Sequence, residues 1–152
     1  MKKVYLSWDD TVKAITEISD VIKKSKFLPD MILSVGRGGM IPARLLSDLL
    51  KVSDVCMLEA KMYTGIGTRN LQPKLGTLTA SVYKKKVLIV DDIVDSGLTL
   101  DAVMTMVHNQ KADQIKSATI VIKDHVKRLP SYFHQTAKED EWVVFPWEKI
   151  EN

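Results

Sequence analysis

The sequence predicts a doubly wound α/β fold with a mainly parallel sheet, and three observations carry that expectation. Short continuous apolar runs at residues 31–35, 87–90 and 118–122 read as strands buried on both faces. Segments with helical spacing lie between them, and strand–helix alternation is the pattern of parallel sheets. The residues with chemistry to offer fall just after the runs, which in such folds is the ligand-binding edge.

Taken in order, Val4-Tyr5-Leu6 reads as a short strand. Ser7 opens a capping pattern with Asp10 three residues on, and Asp9 and Asp10 favour the positive helix end. Val12, Ile15, Ile18 and Ile22 follow at helical spacing; Lys23, Lys24 and Lys26 end the helix before Pro29. The strand at 31–35 runs into Gly36-Arg37-Gly38-Gly39, and Pro42 opens a second helical pattern. This loop is neither the dinucleotide fingerprint, because position 41 is isoleucine, nor a P-loop, because no Gly-Lys-Ser/Thr follows. It is either a tight turn or a place where backbone closely approaches an anion.

Residues 52–59 read as a third strand. Residues 60–76 then lose periodicity, with Lys61, Tyr63, Gly65, Gly67, Arg69, Pro73 and Lys74 among them. So long an irregular stretch suggests a lid, with glycine hinges and cations suited to a polyphosphate. A strand is expected over 78–83, and the three lysines 84–86 mark an exposed turn.

The centre of the chain is residues 87–100. Asp91 and Asp92 follow the apolar run, then Asp95, Ser96, Gly97, Leu98 and Thr99 lead into a helix over about 100–109. Carboxylates here accept from a diol, while hydroxyls and helix-start amides donate to a phosphate. Ala102, Val103, Met106 and Val107 line the helix face as core. Lys123 stands at the exit of the strand at 118–122, either solvated or aimed at a ligand. His108, His125 and His134 have no metal-ligand spacing and read as structural. Trp142 and Trp147 lie in one apolar, strand-like tail.

The 87–99 stretch resembles the 5-phosphoribosyl-1-pyrophosphate (PRPP) motif of type I phosphoribosyltransferases. The resemblance extends to Ser34-Val35-Gly36-Arg37-Gly38-Gly39, to Lys123, to Trp142-Val143 and to Pro146-Trp147-Glu148, as in small 6-oxopurine enzymes and their archaeal relatives. It implies the type I phosphoribosyltransferase fold over 1–152, with a small hood from the terminal segments. Its implied activity moves the phosphoribosyl group of PRPP to a 6-oxopurine, hypoxanthine, guanine or xanthine, giving the nucleoside monophosphate and pyrophosphate. By the same likeness Asp91, Asp92, Asp95, Ser96, Gly97, Leu98 and Thr99 bind ribose phosphate. Gly36, Arg37, Gly38 and Lys61 bind pyrophosphate, with a cis peptide before Arg37; Lys123, Trp142 and Val143 bind purine. Asp91, Asp92 and Glu148 would hold Mg²⁺. Asp95 is either the general base or a cap of its turn. Leu98 departs from the family, where glycine or lysine is commoner. A base such as adenine or a pyrimidine, or a PRPP-binding regulator without turnover, remains open.

Composition narrows the setting. At 152 residues the chain suits one domain, with 45% hydrophobic and 27% charged residues. A net charge of +3 suits anionic small molecules and shows no strongly basic stripe for nucleic acid. The one cysteine, Cys56, excludes an internal disulfide framework. No apolar run approaches a membrane span or a signal-peptide core, so a cytoplasmic enzyme is expected. The family likeness also implies a homo-oligomer, a dimer or tetramer.

Overall fold

The computed structural model describes residues 1–64 and 70–151. Its elements in chain order are β1 (Lys2–Tyr5), α1 (Trp8–Lys24), β2 (Met31–Val35), α2 (Met40–Leu50), β3 (Val55–Leu58), β4 (Ala60–Thr64), β5 (Leu71–Leu75), β6 (Lys86–Val94), α3 (Leu98–Asn109), β7 (Gln114–Lys123), β8 (Tyr132–Ala137) and β9 (Glu141–Val144). A 3-10 helix, Pro146–Glu151, ends the described chain.

Five strands form a parallel sheet in the order β3-β2-β6-β7-β8. Alternation along β2 and β6 sorts side chains to its two faces. Ile32, Leu88 and Val90 pack with Ile15, Ile18 and Ile22 of α1 and Ala43 and Leu46 of α2. Met31, Leu33, Val87 and Ile89 pack with Val103 and Val107 of α3 on the other side. Helices cover both faces, so strands of this sheet can be apolar throughout. The capping box at Ser7 and Asp10 is present, with the Asp10 amide donating to Ser7 Oγ at 3.0 Å.

The terminal segments do form a small separate layer. β1 pairs in parallel with β9, Val4 opposite Val143. Trp147 stacks on Phe145 at 4.8 Å and meets Trp8 at 5.9 Å, which fastens the tail to the start of α1.

Several expectations are corrected. Residues 60–76 are not wholly irregular: β4 and β5 form an antiparallel hairpin with Lys61 opposite Lys74, while Gly65, Gly67 and Arg69 lie outside the described residues. The alternation at 78–83 belongs to no strand; Leu78, Ala80 and Val82 satisfy it by packing inward against the α3-side core. β6 does not end before the acid pair but runs on to Val94, because long β7 pairs with it that far. β8, a polar segment ending in Thr136 and Ala137, was not expected; parallel pairing to β7 makes it a strand. No peptide among the described residues is cis, including that before Arg37. Gly36 makes the turn instead, at φ +54°, a value open to glycine at little cost.

Candidate active site

Two loops and a buried acid pair meet at the carboxyl edge of the sheet. Pairing between β2 and β6 stops at Ser34–Val90, where β2 gives way to the glycine loop. That loop packs into the space beside Asp91 and Asp92. A Cβ on Gly38 would lie 2.6 Å from an Asp92 carboxylate oxygen, and one on Gly39 would lie 2.3 Å from the Val90 carbonyl. Only glycine fits at either position, so the expected anion loop and the acid pair touch. Arg37, just before these two glycines, is exposed.

The acid pair is electrostatically costly. Removal from water is the largest cause holding the Asp91 carboxyl well above the usual range, and the Asp92 charge adds to it. Burial likewise raises Asp92, opposed by its hydrogen bonds, with Glu148 adding like charge. Some surface of both residues stays accessible, but their carboxyls are crowded by protein. Each Oδ1 accepts from the next backbone amide, Asp91 from Asp92 at 2.9 Å and Asp92 from Ile93 at 2.7 Å. Asp92 and Asp91 each line a hollow at this edge of the sheet. Glu148 is held by the Phe145 amide, which donates to its Oε2 at 2.8 Å at the head of the 3-10 helix.

Beyond Val94 the second loop is open. Gly97 takes φ +87°, and nothing lies within 4 Å of where its Cβ would be. Among the described residues no side chain caps α3 at Gly97, and the Leu98 amide donates to Ser96 Oγ at 3.3 Å. Uncapped amides and the helix dipole make this a natural anion seat. A hollow of about 190 Å³ here is lined by Asp91, Asp95, Ser96, Gly97 and Thr99, with Met62 and Leu71 of the hairpin on its far side. Thr99 Oγ1 lies 3.3 Å from Met62 Sδ, so the hairpin rests on the loop.

A larger cleft of about 510 Å³ adjoins it, lined by Asp92, Asp95, Lys123, Trp142, Val143 and Glu148 among others. With Ser96, seven residues named from sequence thus share one cavity. Trp142 is 53% exposed and turns a bare ring to solvent, whereas Val143 is buried. Of the two readings open for Lys123, the solvated one fails. It is only 7% exposed, and its Nζ donates to the carbonyls of Lys138, at 3.0 Å, and of Glu141. Burial of a lysine is tolerable because those carbonyls replace water.

Lys61 stands apart. It lines neither cavity; its Nζ pairs with Glu59 at 2.7 Å, and with Lys74 it borders a separate hollow below the hairpin. The Ala60 carbonyl, 3.5 Å from where a Gly36 Cβ would be, still places the hairpin base against the glycine loop. Sequence reasoning missed His125, whose Nε2 lies 3.4 Å from Asp95 Oδ1 and which lines the larger cleft. No spacing rule could have found it, because the two residues come from different loops. Among the described residues no three His, Cys, Asp or Glu side chains form a ready metal cage.

Glycine loop, acid pair and helix start thus meet at the carboxyl edge of a parallel sheet, the ligand-binding edge of doubly wound α/β proteins. The chain belongs to the phosphoribosyl transferase family, whose domain matches residues 3–149, and it is a PRPP-dependent transferase. It is 35% identical to a purine phosphoribosyltransferase from Pyrococcus horikoshii, covering 97% of this chain and 95% of that one with a TM-score of 0.84. A xanthine-guanine-hypoxanthine phosphoribosyltransferase from Helicobacter pylori superposes with a TM-score of 0.82 at 26% identity, covering 99% and 97%. A xanthine-guanine phosphoribosyltransferase from Idiomarina loihiensis is 24% identical over 151 residues, 97% of this chain and 88% of that one.

Proposed function

We propose that this enzyme is a purine phosphoribosyltransferase acting on a 6-oxopurine. The relatives' names support purine, and one observation carries the oxopurine reading. A buried lysine, a bare tryptophan and a loop carboxylate line the same cleft beside the acid pair. Lys123 has a third N–H beyond the two taken by carbonyls, and an ammonium donates to O6 but not to the amino group of adenine. Trp142 offers its ring face for stacking, and Val143 offers backbone groups.

Asp91 and Asp92 accept from the ribose hydroxyls, the 95–99 loop takes the 5'-phosphate, and Gly36, Arg37 and Gly38 face the pyrophosphate. The hairpin, resting on Thr99, serves as the lid that keeps water out. Asp95 receives the proton that the purine imidazole ring sheds as N9 bonds to the sugar. Loss of pyrophosphate leaves positive character on the ribose ring, which the nearby acid pair stabilises.

Hard carboxylate oxygens at Asp91, Asp92 and Glu148 suit Mg²⁺, which binds through one or two carboxylates with substrate oxygens filling the rest. Bound there, it would neutralise charge on the departing pyrophosphate.

The test is pyrophosphate release from PRPP and Mg²⁺ with hypoxanthine, guanine, xanthine, adenine and uracil. Release with oxopurines alone is expected. Adenine or uracil as best substrate would overturn the reading, as would PRPP binding without turnover.

A further inference from the structure

Asp95 and Lys123 are assigned to neighbouring atoms of one purine edge, N7 and O6. His125 joins the two loops that carry them. It sits in the turn after β7, two residues beyond Lys123. That turn is pinned by the Val126 amide donating to the Lys123 carbonyl at 3.1 Å and by the Asp124 amide donating to the Ala137 carbonyl at 2.9 Å. From this fixed base its Nε2 reaches Asp95 Oδ1, 3.4 Å away, across the mouth of the cleft. Asp95 needs such a partner. Its side chain is 73% exposed, on an open loop next to Gly97, and among the described residues no other cation lies within ion-pairing distance.

We propose that His125 is a positioning residue for this reaction, holding the Asp95 carboxylate toward the purine N7. The inference rests on Asp95 as the proton acceptor. With Nε2–H donating to Oδ1, Oδ2 is left free for the proton of the purine. The contact requires only a neutral imidazole carrying its proton on Nε2. At His125 Nδ1, Asp124 Oδ1 is 3.9 Å away, too far for a hydrogen bond, so it does not compete for the ring proton. At 3.4 Å the contact in the free enzyme is a close approach and not yet an aligned hydrogen bond. Catalytic hydrogen bonds commonly tighten only when substrate fills the site, and a purine here would displace the water that weakens the pair.

The test uses single-turnover rates of the whole chain with PRPP, Mg²⁺ and the preferred oxopurine. His125→Phe keeps a flat ring and removes the donor; His125→Gln returns an N–H near the place of Nε2. The Phe variant should slow the chemical step about 10- to 100-fold, with KM for PRPP and melting temperature unchanged, and Gln should recover most of the rate. In an Asp95→Asn background the Phe change should add less than about twofold, since coupled residues are not additive. A Phe variant at full speed beside a slow Asp95→Asn enzyme would overturn the positioning role alone, as would an undiminished Phe effect in the Asn background. A fast Asp95→Asn enzyme would remove the general-base reading and this inference together.

Discussion

The two loops at the sheet's carboxyl edge look alike in sequence and differ in construction. Loop 36–39 follows β2 and leads into α2; loop 95–97 follows β6 and leads into α3. In the first, Gly38 and Gly39 have no room for a methyl group. In the second, Gly97 has open space above it and is glycine because of its positive φ. One loop is part of the packed core and carries the acid pair's neighbourhood. The other carries an open glycine and leaves Asp95 and Ser96 exposed. Change in the first should therefore cost stability, and change in the second should cost chemistry.

Asp95, on the open loop, tests this most severely. Asp95→Asn keeps size and capping ability but removes the base. It should slow single-turnover chemistry about 10²–10⁴-fold, with melting temperature and PRPP binding near normal. A fully active variant would break the comparison.

The acid pair lies between the two regimes. Asp91→Asn or Asp92→Asn should weaken PRPP use about 10- to 150-fold, the loss of a charged hydrogen-bond partner. Stability should move the other way. Both carboxyls are raised on folding, so the folded state binds more protons than the unfolded chain above the ordinary value of 3.8. Stability is then fully present below that pH and falls as pH rises through the folded values. Asn, uncharged, should flatten that fall and raise the melting temperature at neutral pH. Denaturant melts from about pH 4 to 8 would show it; a variant less stable at every pH would refute the electrostatic account.

In the packed loop, Gly39→Ala should destabilise by about 1–3 kcal/mol or more, since the clash is with backbone. That lowers the melting temperature by about 2–4 °C per kcal/mol. At Gly97 the expected cost is only the left-handed strain of alanine, about 1–2 kcal/mol. If the Gly97 variant melted lower than the Gly39 one, the ordering of the loops would be reversed.

Sequence determined much of this protein by itself, where the physics is local. The capping box at Ser7, the buried strands 31–35 and 118–122, and the order acid pair, glycine, hydroxyl, helix all depend on neighbours within a few residues. The family could be read from those strings. Tertiary structure decided what depends on distant partners. β8 is a strand because β7 offers an edge, and 78–83 is not one although its pattern alternates. Lys123 is buried because the carbonyls of Lys138 and Glu141 fold back over its Nζ. Gly36 turns the chain through a positive φ rather than a cis bond. The contact of His125 with Asp95 joins residues thirty positions apart. Such a meeting is set by the register of β6 on β7, and no local pattern in either loop records it.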